Sequence, residues 1–151
     1  MSYQHFEGLV RDLCKELHLP DTEGVLRQGY LSVQGFEIVV ANYESDPDAM
    51  YLNFNFGVVL AGRSLRIFRL MLEANLTVYA QDQAQLGMDA DTGSAHLVVR
   101  VPMTAGVDGP WLAETLQHYS SHGSYWRDTL LNSSDEMFNA VTSGHYQWIR
   151  A

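Results

Sequence analysis

The sequence is poor in positive charge and in cysteine. Nine lysines and arginines stand against 18 aspartates and glutamates, which gives the 151 residues a formal net charge of −9. Surfaces that bind nucleic acid or anionic membranes need clustered cations, so neither partner is expected. The single cysteine, Cys14, excludes a disulfide within these residues, which is compatible with the cytosol.

Segments that would direct the chain to a membrane are also missing. No apolar run approaches the ~20 residues that a transmembrane helix needs. The first residues, Met1 to His5, lack the charged and apolar regions of a signal peptide. We therefore expect a protein that stays in the cytoplasm where it is made. A hydrophobic fraction of 46% is ordinary for a globular chain and too high for a disordered one.

The spacing of apolar residues predicts an α+β fold in the order helix, three strands, helix, two strands, helix. Residues 3–17 form the first helix, which stops before Pro20. The predicted strands lie at residues 25–33, 35–42, 50–60, 84–89 and 96–102. Gly29 weakens the first of these strands. A long last helix begins at Gly109-Pro110, and a short fourth helix is expected at 137–142.

The second helix, residues 62–76, is apolar around more than half of its circumference. On a helical wheel its polar residues Arg66, Arg69 and Glu73 occupy a sector of about 60°. A surface helix needs an apolar stripe of only roughly 100°. This helix should therefore be buried on two sides, one against the sheet and one against a second partner.

Residues able to carry chemistry are few and isolated. His118 and His122 lie four residues apart on the last long helix and share a face, as a pair of zinc ligands would. No third ligand has a recognisable spacing, so a solvated helix face is the favoured interpretation and a metal-dependent hydrolase the alternative. Phosphate-binding and nucleophile-elbow motifs are absent. We predict neither an enzyme nor a cofactor.

Three pieces of the sequence carry a family resemblance. They are Leu70-Met71-Leu72-Glu73-Ala74-Asn75, Leu86-Gly87-Met88-Asp89 followed by Thr92-Gly93, and Leu97-Val98-Val99-Arg100-Val101-Pro102-Met103. In this order they resemble the signature of the Tir-chaperone family, the class I type III secretion chaperones. The aromatic segment Tyr125-Trp126-Arg127 is similar to the family's last helix. The resemblance covers about residues 3–131, and the sequence departs from the family's pattern after Asn132.

The resemblance implies a virulence-related bacterial chaperone that acts as a homodimer, with the second helix at the interface. It implies that the N-terminal segment of a secreted effector is bound in extended form and presented to the secretion apparatus. No ATP or metal is implied. A regulator of secretion with the same fold is the alternative. We expect a chaperone-like domain at residues 1–131 and a C-terminal extension at 132–151.

Candidate residues follow from the wheel and from the resemblance. For the dimer interface they are Ile67, Leu70, Met71, Ala74 and Asn75. The alternative is that Leu70 and Met71 pack beneath the last helix of the same chain. For effector binding they are Leu9, Leu13, Leu26, Leu31, Val33, Ile38 and Val40, with an ordinary core as the alternative. Tyr51, Asn53 and Asn55 are expected to form the outward row of their strand.

Overall fold

The computed structural model describes residues 2–143. The helices are α1 (Ser2–Glu16), α2 (Thr22–Gln28), α3 (Ser64–Ala74), α4 (Gly109–Trp126) and α5 (Asp135–Ser143). The strands are β1 (Tyr30–Val33), β2 (Phe36–Tyr43), β3 (Asp46–Val58), β4 (Ala84–Met88) and β5 (Ser94–Pro102). Short π-helical segments, Asn75–Tyr79 and Arg127–Leu131, follow α3 and α4, and 3₁₀ turns lie at Ala61–Arg63 and Ala80–Asp82.

The strands form one antiparallel sheet in the order β1-β2-β3-β5-β4. The predicted α+β class is therefore confirmed. By their contacts the residues divide into two compact units, which are described in turn. The first contains residues 2–54 and 100–120, and the second contains residues 55–99 and 121–143. Within residues 2–143, no helix combines the length and the apolar character that a membrane crossing requires.

In the first unit, α1 has the predicted apolar stripe. Phe6, Leu9, Val10, Leu13 and Cys14 are buried along one side of this helix. On β3 the side chains alternate as predicted, because Leu52 and Phe54 are buried between less buried neighbours. Strand β2 alternates in the same way, since Ile38 and Val40 are buried while Glu37 and Val39 are exposed. Tyr51 and Asn53 are half-buried on the outward side of β3, as predicted.

The first predicted strand was partly wrong, because residues 22–28 form the helix α2. The Asp21 carboxylate accepts a hydrogen bond from the Gly24 backbone N–H at 2.9 Å, which caps the start of this helix. Gly29 ends it with φ 80°, in the left-handed conformation that glycine adopts without strain. Strand β1 therefore begins only at Tyr30. Capping at both ends outweighed the strand propensity of Val25 and its neighbours.

An ion pair in the first unit ties Arg100 of β5 to Asp46 at the start of β3. The Arg100 guanidinium donates hydrogen bonds to both Asp46 carboxylate oxygens at 2.6 and 3.0 Å. The Tyr51 hydroxyl donates to the same carboxylate at 2.6 Å. These donors, Arg100 first and Tyr51 second, lower the pKa of Asp46 to about 2 from its ordinary 3.8. Asp46 directly follows the turn at Glu44 and Ser45 that joins β2 to β3.

In the second unit a turn at Gly93 joins β4 to β5. Gly93 has φ 71°, and its N–H donates to the Asp89 carbonyl at 2.8 Å. The Asn75 side chain makes two reciprocal hydrogen bonds with the backbone of Leu86, donating at 3.1 Å and accepting at 2.7 Å. Asn75 therefore ties the residue that follows α3 to β4.

Replacing Asp46 with asparagine should remove a pH-dependent part of the stability. Because folding lowers the pKa of Asp46, the ionised carboxylate stabilises the fold above pH ~4, and this contribution is lost as the pH falls from about 4 towards 2. Asp46→Asn should therefore destabilise the protein at pH 7 and have little effect near pH 2. Urea unfolding at both pH values measures this, with Asp12→Asn, an exposed aspartate of α1, as the control. An equal loss at both pH values would contradict the assignment.

Candidate binding surfaces

Helix α3 has two apolar faces, and only one of them is covered. Ile67, Leu70, Met71 and Ala74 are buried, with 0 to 6% of their surface exposed. On the opposite face, Leu65 is 73% exposed and Leu72 is 70% exposed. Leu76, in the π-helical segment that follows, is 79% exposed. Covering a leucine side chain contributes about 1.5–3 kcal/mol. These three residues, the leucine stripe, are therefore an unpartnered apolar surface.

The two sides of this helix that were predicted to be buried differ: one is covered within the chain and the other is exposed. The predicted interface residues Ile67, Leu70, Met71 and Ala74 belong to the chain's own core. Asn75 is half-buried and bonded to Leu86. Because their side chains face inward, these five residues have little surface to offer a second copy. The leucine stripe has more exposed surface. The helical wheel gave a signal for it, since Leu65 and Leu72 are seven residues apart and therefore lie on one face.

A second apolar surface lies on the outward side of the sheet in the first unit. Tyr30 of β1 is 38% exposed and Val39 of β2 is 41% exposed, and the two residues face each other in the strand register. Tyr43 is 51% exposed, and its ring lies 5.2 Å from that of Tyr51 between centroids. Asn53 completes the row opposite Val39. We call these five residues the tyrosine face.

Most residues predicted to bind an effector lie beneath this surface rather than on it. Leu9, Leu13, Leu31, Ile38 and Val40 are buried, none of them more than 5% exposed. They form the core that positions α1 and the strands, which was the alternative interpretation. Leu26 and Val33 are half-buried and reach the surface. The sequence could have revealed the outward row, because side chains alternate along a strand and Val39 therefore lies on the same side as the charged Glu37.

Strand β1 is the edge of the sheet beside the tyrosine face. Its four residues pair with β2 from Tyr30 opposite Val39 to Val33 opposite Phe36. Among residues 2–143, no other strand pairs with its second side. An edge strand presents backbone donors and acceptors to which an extended peptide can add as a further strand.

A buried arginine, which directly precedes α3, makes hydrogen bonds to the segment that leads into α5. Arg63 is only 6% exposed. It donates to the carbonyls of Leu130 and Ser133 at 2.7 and 2.6 Å and to the Asp135 carboxylate at 2.9 Å. Its guanidinium also lies 4.5 Å from the centroid of the Phe138 ring. Sequence reasoning missed Arg63 because an arginine before a helix is usually a surface residue.

The two histidines of the alternative metal site have different surroundings. His118 is exposed, and its ring lies edge-on to Tyr119 at 4.9 Å. His122 is half-buried, with Nδ1 3.1 Å from the hydroxyl of Tyr79. Burial raises the pKa of Tyr79 to about 12, against the effect of a hydrogen bond with Trp126. Among residues 2–143, no three histidine, cysteine or acidic side chains are grouped closely enough to hold a metal ion.

Solved structures show the same fold, although no family model and no curated protein matches this sequence. A chain of the HopA1–SchA chaperone–effector complex has 16% identity and a TM-score of 0.62, covering 84% of this chain and 96% of its own length. A chain of the ExsC–ExsE complex has 18% identity and a TM-score of 0.57, covering 82% and 99% respectively.

A third structure is the heterodimeric ExoU–SpcU complex from the type III secretion system of Pseudomonas aeruginosa. Its chain has 18% identity and a TM-score of 0.50, covering 65% of this chain and 78% of its own length. The chain described here has the fold of a type III secretion chaperone. The resemblance recognised in the sequence is thus confirmed as a likeness of fold.

Replacing Arg63 with alanine should detach the start of α5 and destabilise the protein. The carbonyls of Leu130 and Ser133 would each lose a charged donor, so the free energy of unfolding should fall by about 3 kcal/mol. Arg66→Ala is the matched control, because Arg66 is exposed and donates to the neutral oxygens of Asn139 and Thr142. That variant should lose less than about 1 kcal/mol in urea unfolding. An equal decrease in the free energy of unfolding for both variants would contradict the proposed role of Arg63 in holding α5.

Proposed function

We propose that this protein is a cytoplasmic type III secretion chaperone, which binds the N-terminal segment of an effector in extended form and keeps it soluble for the secretion apparatus. The observation that carries the proposal is the likeness of fold to chains of chaperone–effector complexes over more than four fifths of this chain. The exposed tyrosine face supports it, because a chaperone must present apolar area to an unfolded guest. The net charge of −9 keeps such a protein soluble.

The leucine stripe supports a homodimer formed through α3. Two copies related by a two-fold axis must present the same patch to each other. In an antiparallel pairing centred between Leu70 and Met71, Leu65 of one copy lies near Leu76 of the partner subunit. The same pairing brings Arg69 near Glu73 of the partner subunit. Leucine would then meet leucine, and positive charge would meet negative charge. Self-complementarity of this kind favours a second copy over an unrelated partner.

The tyrosine face and the edge of β1 supply the features that an extended guest needs. Tyrosine and valine side chains offer apolar contact, while the hydroxyls of the exposed Tyr30 and Tyr43 offer hydrogen bonds. The free edge of β1 offers backbone groups for strand addition. A guest strand added at β1 would place alternate side chains on the same side as Tyr30. Such a surface would select guests by the alternation of their apolar side chains and not by a particular sequence.

A catalytic role has less support than binding. A nucleophile or metal site needs several polar groups that converge on one place. His122 is engaged with Tyr79, and His118 lies on an exposed helix face beside Tyr119. We therefore propose a binding protein without a cofactor, in which these histidines have structural roles.

Replacing Leu72 with glutamate should dissociate the dimer and leave the fold intact. Leu72 is 70% exposed in the single chain, so the charge disturbs nothing there, but at an interface it would be buried without a partner. Sedimentation at micromolar concentration should change from twice the 17.0 kDa chain mass to a single chain. Thr104→Glu, in an exposed loop, adds the same charge and should remain dimeric.

The buried residue Met71 provides the contrast. Because Met71 is 6% exposed, Met71→Glu should unfold the chain instead of producing a folded monomer, which circular dichroism distinguishes. A wild-type protein that sediments as a monomer would overturn the proposed dimer, as would a Leu72→Glu variant that stays dimeric.

Replacing Val39 with glutamate should weaken effector binding at least about ten-fold, because a charge in the apolar contact costs more than 1.4 kcal/mol. The measurement is calorimetric titration with the N-terminal segment of a secreted protein that co-purifies with the wild type. Thr104→Glu is again the charge-matched control and should bind like the wild type. Unchanged binding by Val39→Glu in a folded dimer would remove the tyrosine face from the guest-binding surface.

A further inference from the structure

The open edge of β1 presents the backbone groups of two residues, Tyr30 and Ser32. The Val40 N–H donates to the Gly29 carbonyl at 2.8 Å, just before the first residue of β1. Along an antiparallel pair of strands, hydrogen-bonded and non-bonded residue pairs alternate, so Leu31 bonds to β2 while Tyr30 and Ser32 do not. The N–H and C=O groups of Tyr30 and Ser32 therefore point to the open edge, where an added strand can bond to them.

The side chains of these two residues lie on the outward side of the sheet and have different neighbours. Tyr30 lies opposite Val39, and Ser32 lies opposite Glu37. All four residues are exposed. A guest residue beside Tyr30 would meet an apolar pair, whereas a guest residue beside Ser32 would meet a small hydroxyl with a carboxylate behind it. The edge therefore offers two chemically different positions that are two residues apart.

Glu37 carries a negative charge that the chain itself does not balance. Strands β1 and β2 contain no other charged residue. Among residues 2–143, no lysine, arginine or histidine forms an ion pair with Glu37, whereas the Asp46 carboxylate is paired with Arg100. Since the chain as a whole has a net charge of −9, a basic guest meets no general repulsion.

The distance from an added strand to Glu37 suits a long basic side chain. Neighbouring strands lie about 4.8 Å apart, so the guest backbone would be about 10 Å from that of Glu37. Ser32 lies between them and is too small to separate the two side chains. Lysine and arginine carry their charge at the end of a long aliphatic stem, which can cross Ser32 and bring the cation to the carboxylate.

We propose that the guest strand carries a lysine or arginine beside Ser32, two residues from an apolar side chain beside Tyr30. This inference rests on the proposed function and names the chemistry of the guest: its cation pairs with Glu37 while its apolar side chain covers Tyr30 and Val39. The apolar contact supplies affinity and the ion pair fixes the register, because a slip by one residue turns both guest side chains to the other side of the sheet.

The test compares two labelled peptides that differ in one charge. Each has about eight residues, the length of a typical strand, and alternates valine with threonine, with lysine or glutamate in place of one central valine. The wild type should bind the lysine peptide about five-fold more tightly in fluorescence anisotropy, because an ion pair replaces a like-charge contact. Glu37→Gln should reduce this preference to less than about two-fold, and Glu37→Lys should reverse it.

Two further variants control for net charge and for space. Glu114→Lys changes the net charge equally on α4, which packs against the opposite face of the sheet, with the Tyr119 ring 5.8 Å from that of Phe54. This variant should keep the preference for lysine. Ser32→Leu changes no charge but fills the space in front of Glu37, so it should lose the preference.

Equal affinity of the wild type for the two peptides would overturn the inference, as would a lysine preference that persists in Glu37→Lys. Val39→Asn tests the proposed guest-binding face separately, because it removes apolar contact without adding charge, and it should weaken the binding of both peptides. If Val39→Asn binds both peptides as tightly as the wild type, the guest-binding role of the tyrosine face is wrong instead. The two failures are therefore distinguishable.

Discussion

Burial of one face of α3 is the constraint on which the second unit of this protein depends. Ile67, Leu70 and Ala74 are almost fully removed from solvent, which fixes the rotation of the helix about its axis. Once that rotation is fixed, Leu65 and Leu72 have to face outward, because they lie on the opposite side of the same wheel. An apolar helix in a small domain therefore produces an exposed apolar surface as a geometric consequence of its own packing.

The two ends of α3 are held by polar contacts of a different kind. The Asn75 side chain bonds to the backbone of Leu86 as a neighbouring strand would: its amide NH₂ donates to the Leu86 carbonyl, and its amide oxygen accepts from the Leu86 N–H. Arg63, before the first turn of the helix, donates to two backbone carbonyls, those of Leu130 and Ser133. Its ion-pair partner Asp135 is 94% exposed, so the carbonyl contacts and the Phe138 ring contribute more to the anchor than the charge pair does.

The two apolar surfaces have separate roles in the proposed function. The leucine stripe is regular and self-complementary, which suits a fixed partner such as a second copy. The tyrosine face combines apolar rings with hydroxyl and amide groups beside an open strand edge, which suits a guest whose sequence varies. A guest held in extended form gives up chain entropy on binding, and backbone hydrogen bonds at the edge of β1 offset part of that cost without requiring a particular side chain.

By itself the sequence determined the order of the main helices and strands, because apolar periods of 3.6 and 2 reflect burial on one side. It also predicted that the α3 helix has more than one apolar face, and the motifs around Ala74 and Gly93 indicated the chaperone fold. The tertiary structure decided which leucines of α3 stay outside and which supposed guest contacts, such as Leu13 and Ile38, belong to the core. It also decided that Arg63 is an anchor. A local pattern shows that a face is apolar, but only the packing of distant segments shows what covers it.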